Sequence, residues 1–163
     1  MRERIWDERR PLERLVQILP GFRGYAARGS RRDSDRLLRI FALSRMDRIL
    51  TELERARKAA APKLQIHYGR IVADLEAIHR ELREEDPYRS FFGHLRWESP
   101  DALETLYARD EEIVRSFVAL TVATAEETCT LDEIGREIRR LARALRERRG
   151  EIGDLIEQGR TAE

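Results

Sequence analysis

Three glycines, Gly21, Gly24 and Gly29, punctuate the stretch P-G-F-R-G-Y-A-A-R-G-S-R-R of residues 20–32. Gly24 to Ser30 reads G-Y-A-A-R-G-S, one residue away from the phosphate-cradling pattern G-x-x-x-x-G-K-[S/T]. Such a cradle needs backbone N–H groups at a helix start, a strand before them and a lysine that reaches the phosphates. A helix does follow here, but Ser30 takes the lysine position and the preceding residues read as helix. Nucleotide hydrolysis is therefore not indicated. What survives is a helix start flanked by Arg28, Arg31 and Arg32, which are anion-binding candidates. The competing reading is a glycine-permitted turn in which Phe22 and Tyr25 plug the end of a helical bundle.

Other chemistry-bearing residues are sparse. Glu76-x-x-His79 is half of a di-iron motif, which needs a second Glu-x-x-His and two further glutamates. His67 and His94 are preceded three residues earlier by Leu64 and Phe91, so the pattern fails and no metal is assigned. Cys129 is the only cysteine, so no intrachain disulfide can form, and it reads as a small hydrophobe. Asp110 lies one turn from Leu106 and from Ile113 and Val114, close to an apolar face. A carboxylate there needs a partner. Arg32, Arg36 and Arg39 are the candidates for a structural ion pair that fixes helix register. The loop D-P-Y-R-S-F-F-G-H-L-R-W-E-S-P holds Tyr88, Phe91, Phe92 and Trp97. It either folds back over the core or presents an aromatic tip to a partner. No catalytic residue and no cofactor are assigned.

These residues must be carried by helices, since every long segment has helical period. A short helix over 11–19 begins at Pro11 and stops at Pro20-Gly21, with Leu12, Leu15, Val16 and Leu19 on one face. A second starts at Arg31 or Arg32 behind Ser30 as cap and runs to Ala60. Its expected stripe is Leu37, Leu38, Phe41, Ile49, Leu53 and Ala56, with Met46 alongside. Pro62 marks a reversal near 61–63, with one continuous kinked helix through the helix-forming Ala59–Ala61 as the alternative. The third helix carries heptad spacing through Leu64, Tyr68, Ile71, Leu75, Ile78 and Leu82. Ser99-Pro100-Asp101 opens a fourth, and the capping box Thr130–Glu133 opens a fifth. Gly150 and Gly153 are expected to weaken the distal end of the fifth.

The spacing predicts an all-α fold: an elongated antiparallel bundle or coiled coil of about four long helices, plus a short N-terminal one. A chain of 163 residues suits a single domain over 1–163, with 1–10 and 157–163 fraying. Net charge is +1, so no global field draws nucleic acid. Residues 1–58 hold 16 basic against 9 acidic side chains, and residues 101–133 hold 2 against 9, so these segments can neutralise one another. No leader-like apolar segment and no 18-residue apolar run is present, which makes the cytoplasm the default location.

Two signatures, L-P-G-F-R-G-Y with R-R-D-S-D-R-L-L-R (19–39) and Y-R-S-F-F-G-H with L-E-T-L-Y-A-R-D-E-E-I-V (88–114), resemble a family of bacterial all-helical proteins without established activity. The resemblance implies the helical fold and supplies no chemistry. It places Pro20, Gly21, Phe22, Gly24, Tyr25, Arg32, Asp35, Arg36, Phe91, Phe92, Tyr107 and Asp110 in its motifs. Gly93-His94 departs from it, because the family pattern has an Asp soon after the aromatics.

The functional expectation is a non-enzymatic scaffold or adaptor that binds a partner protein, or a second copy, through the aromatic loop or a helix face. The alternative is a polyanion or a membrane surface bound by the arginine-rich elbow and second helix, with peripheral contact only. An enzyme would have little beyond Asp110 and the arginines of the second helix to work with.

Overall fold

The computed structural model describes residues 10–84, 100–126 and 129–161, with side chains as far as Glu157. The aromatic loop with Tyr88, Phe91, Phe92 and Trp97 lies outside the described residues. The fold is all-α. Among the described residues there are five α-helices: α1 (Pro11–Ile18), α2 (Arg31–Ala59), α3 (Pro62–Glu84), α4 (Pro100–Ala125) and α5 (Leu131–Thr161). A 3₁₀ turn, Arg28–Ser30, precedes α2, and none of the described residues forms a strand.

Local signals set these boundaries. Proline, which needs no N–H partner and has its φ preset, opens α1, α3 and α4. Pro62 overrides the helix-forming run Ala59–Ala61, so α2 and α3 are separate helices. The capping box of α5 is complete: Thr130 N–H donates to Glu133 Oε2 at 2.7 Å, and Glu133 N–H donates to Thr130 Oγ1 at 3.3 Å. Gly150 and Gly153 do not interrupt α5, which continues to Thr161.

Contacts group the chain into two units, 1–39 with 86–112 and 145–163, and 40–85 with 113–144. The first has a core of Leu15, Leu19, Phe22, Tyr25, Leu106, Tyr107 and Ile152. The second buries Met46, Ile49, Leu53, Leu75, Phe117, Leu120, Ile138 and Leu141. In that second unit α2 and α3 run antiparallel. Asp47 meets His79 (Oδ1 to Nε2, 2.8 Å), and Arg57 lies beside Gly69. In both pairs the residue numbers are centred on position 63, as a hairpin at Pro62 requires.

The buried row of α2 differs from the expected one. It runs Ser34, Leu38, Ala42, Met46, Ile49, Leu53, so Leu37, Phe41 and Ala56 are only half-buried. A serine and an alanine at buried positions shift the face away from the largest apolar side chains. Phe41 sits at the edge, with its ring against Phe117 (centroids 6.2 Å, 86°) and the Arg45 guanidinium over it at 5.2 Å. Of the expected α3 heptad only Leu75 and Ile78 are buried, joined by Val72 from outside it, while Tyr68, Ile71 and Leu82 are half-buried and Leu64 is exposed. Val16, expected on the buried face of α1, is also exposed.

Candidate functional site

The elbow of residues 20–30 is held from within. Gly21 and Gly24 adopt φ of +89° and +76°, the left-handed region open to glycine. A Cβ on Gly24 would lie 2.5 Å from Tyr107 Oη and 3.0 Å from Leu12 Cδ1. That close approach lets the Tyr25 N–H donate to Tyr107 Oη at 2.8 Å, and the two rings stack with centroids 5.6 Å apart. Phe22 packs edge-on against Tyr25 as well.

Ser30 does not cap α2. Its hydroxyl shares its proton between the carbonyls of Gly24 (3.0 Å) and Ala27 (2.9 Å), clasping the elbow. Arg31 is buried, donating Nε to the Tyr25 carbonyl at 2.7 Å and Nη2 to the Ala26 carbonyl at 3.4 Å. Burial, followed by the nearby Arg28, pulls this guanidinium below its ordinary pKa. Of the three anion candidates, Arg31 is thus engaged by backbone carbonyls, while Arg28 and Arg32 are exposed.

Asp110 is fully buried and is the hub of a polar cluster. The Tyr25 hydroxyl donates to its Oδ2, and Arg148 Nε donates to its Oδ1 at 2.6 Å. Arg148 Nη2 reaches the Tyr25 hydroxyl at 3.1 Å and Asp35 Oδ1 at 2.7 Å. Asp35 Oδ2 in turn accepts from Arg39 at 3.3 Å. Two carboxylates and two guanidiniums thus neutralise one another. The partner of Asp110 is Arg148 on α5, not Arg32, Arg36 or Arg39. Arg32 and Arg36 are exposed, while Arg39 joins only through Asp35. A second buried pair, Arg14 to Glu111 at 2.6 Å, ties α1 to α4.

Sequence reasoning passed over Arg14, Glu111 and Arg148, although Arg148 stands in an apolar stripe. Arg148 fills the gap between Leu145 and Ile152 in the heptad steps of α5. An arginine at a core register position is the signal that its neighbour carries a buried acid.

Electrostatics here follow burial. Desolvation pushes the Asp110 carboxyl above the ordinary carboxylate range, against the pull of Arg148 and the Tyr25 hydroxyl. Burial also lowers the Arg148 guanidinium, but Asp110, Tyr25 and Asp35 outweigh it and hold the group well above its ordinary value. Burial first, then the Asp110 charge, raises the Tyr25 phenol well above 10.0. A raised phenol pKa means that the fold favours neutral Tyr25. This contribution to stability is complete below the ordinary tyrosine value and is lost as pH rises through the folded one. Urea midpoints should therefore fall above about pH 10. Part of that slope should disappear in Tyr25→Phe; equal slopes in the two proteins would refute the assignment. With its lone pairs engaged by Tyr25 and Arg148, Asp110 serves as a clamp, and a substrate would have to displace partners already present.

The unit of residues 40–85 and 113–144 presents a different surface. Val118 and Val122 of α4 are 44% and 50% exposed, one turn apart. Val122 lines a groove of about 590 Å³ together with Ala119 and Ala123, and Arg136 of α5 stands on the same groove. Arg136, Arg139, Arg140 and Arg143 are all exposed. At roughly 100° per residue they share an arc of about 100° on α5. None of these was singled out from the sequence, because a valine pair and an arginine row are unremarkable until the core face of each helix is known.

Among the described residues, no group of three or more His, Cys, Asp or Glu is placed to hold a metal ion. No helix among them is long and apolar enough to cross a membrane. Compared with protein-family models, curated proteins and solved structures, the chain matches none of them.

Proposed function

We propose that this protein is a non-enzymatic helical adaptor that binds a partner protein through a helix face, the α4–α5 surface within residues 113–144. The observation that carries the reading is the exposed Val118–Val122 pair beside the Arg136 groove. Apolar side chains at helical spacing, turned away from the core and rimmed by charge, are what a docking protein needs. The elbow offers less to a polyanion, because Arg31 is engaged by the carbonyls of Tyr25 and Ala26.

The test is site-specific photo-crosslinking in cells, with a photoreactive residue at position 122 or, for comparison, at position 32. The expected result is a discrete protein adduct from position 122 and none from position 32. Adducts from position 32 alone would move the binding surface to the elbow. Silence at both positions would refute the adaptor reading.

A further inference from the structure

We propose that the α4–α5 face within residues 113–144 receives an acidic amphipathic helix of a partner protein. The apolar edge of that helix would lie on Val118 and Val122, and its carboxylates on Arg136, Arg139, Arg140 and Arg143. This rests on the adaptor reading above and adds the chemistry of the partner.

Three observations select this occupant. The first is charge. Four exposed arginines lie within the eight residues 136–143 on one side of α5, and the single carboxylate in that span, Glu137, lines the groove instead. From Arg136 to Arg143 the row runs about 10 Å, two turns at ~1.5 Å per residue. Its i, i+4, i+7 spacing matches carboxylates repeated along one edge of a second helix.

The second is shape. The apolar residues do not form a protruding tip. Val122, Ala119 and Ala123 line a groove, which accepts the side-chain ridge of a helix more readily than the plane of a bilayer. Val118 extends that apolar line one turn further along α4.

The third is the acidic lining. Glu126, Glu133 and Glu137 stand on the same groove as Arg136. A nucleic-acid backbone or an anionic membrane, negative throughout, would meet these carboxylates as well as the arginines. A helix with acid on one edge and leucine on the other can set its acid over the outer row and its apolar edge over the groove. Glu133 is in addition held by its capping contacts with Thr130, and of the row only the Arg136 charge acts on it.

Fluorescence anisotropy on the full chain tests this. The probe is a labelled synthetic peptide with leucines at i, i+4 along one edge, glutamates along the opposite edge and alanines elsewhere. Its scrambled isomer, polyglutamate, phosphatidylserine vesicles and a single-stranded RNA are the competitors. The wild type should bind the amphipathic peptide about tenfold more tightly than the scrambled one. V118S/V122S and R136E/R140E/R143E should each weaken it by about tenfold, with wild-type circular dichroism. Equal binding of the scrambled peptide or polyglutamate would overturn the proposal, as would no binding at all. Vesicles or RNA that displace the peptide with higher affinity, and that lose affinity only in the arginine variant, would make the face a polyanion surface. A crosslink from position 122 to a partner segment of other chemistry would leave the adaptor reading standing and sink this one alone.

Discussion

Arg148→Ala is expected to lower the unfolding free energy by about 3–5 kcal/mol, the cost of leaving a buried charge without its partner. Against a total stability of about 5–15 kcal/mol this is among the largest single-site effects the chain can show. The reason is the geometry of the hub: Arg148 supplies bonds to Asp110, to the Tyr25 hydroxyl and to Asp35, and Asp110 has no exposure to water. Without the guanidinium, Asp110 is driven to take up a proton, because burial already favours its neutral form. The deficit should therefore shrink on acidification, since the native state of the variant holds a proton that the unfolded chain releases. Adding Asp110→Asn to Arg148→Ala should recover part of the loss, and the double-mutant cycle measures the coupling. Arg146, an exposed neighbour, is the control and should cost no more than about 0.5 kcal/mol as alanine. Urea unfolding followed by circular dichroism reads the wild type, the two single variants, the double variant and the Arg146→Ala control. An Arg148→Ala midpoint equal to wild type would mean that the cluster contributes no more than a solvent-exposed pair. Should that variant fail to fold, Arg148→Lys, which keeps the charge but loses the fork, should fall between the two.

Gly24→Ala is expected to cost about 2–5 kcal/mol. Of this, about 1–2 kcal/mol comes from forcing a Cβ into the left-handed region. The rest arises because that Cβ would stand 2.5 Å from Tyr107 Oη, which now accepts the Tyr25 N–H. Moving the phenol away leaves a buried backbone donor unsatisfied, at about 1–3 kcal/mol. Gly29→Ala is the matched comparison: nothing lies within 4 Å of its would-be Cβ. It should be neutral or stabilising by about 0.4–1 kcal/mol through the unfolded chain. Thermal melts of the two variants side by side decide the point. Equal shifts would remove Gly24 from the account of the elbow.

The contrast between these glycines also marks what the sequence could say. Both stand in one suggestive motif, and spacing alone cannot tell the one that lets Tyr107 approach from the one that faces open space. Helix boundaries were legible because their causes are local: Pro11, Pro62 and Pro100 at first turns, and Thr130 with Glu133 at a cap. The need of Asp110 for a partner was legible too, since its neighbours one turn away are apolar. The identity of that partner was not, because it depends on which helix lies across from α4, and no period within α4 encodes this. The same holds for α2, where Ser34 and Ala42 occupy buried positions. Apolarity names a face only approximately when small and polar residues serve the packing.

The hub also sets an order of events in time. Arg148 lies 123 residues from Tyr25 and 113 from Asp35 along the chain. Ribosomes add about 5–20 residues per second, so Tyr25 waits about 6–25 s for its arginine to be made. Asp110 arrives well before Arg148, and through that interval the nascent elbow and α4 hold a carboxyl with no cation at its final place. Local pairings such as the α2–α3 hairpin have no such wait. Contacts of such long separation close late, so the arginine acts as a latch that slows the opening of the finished protein more than it speeds its folding.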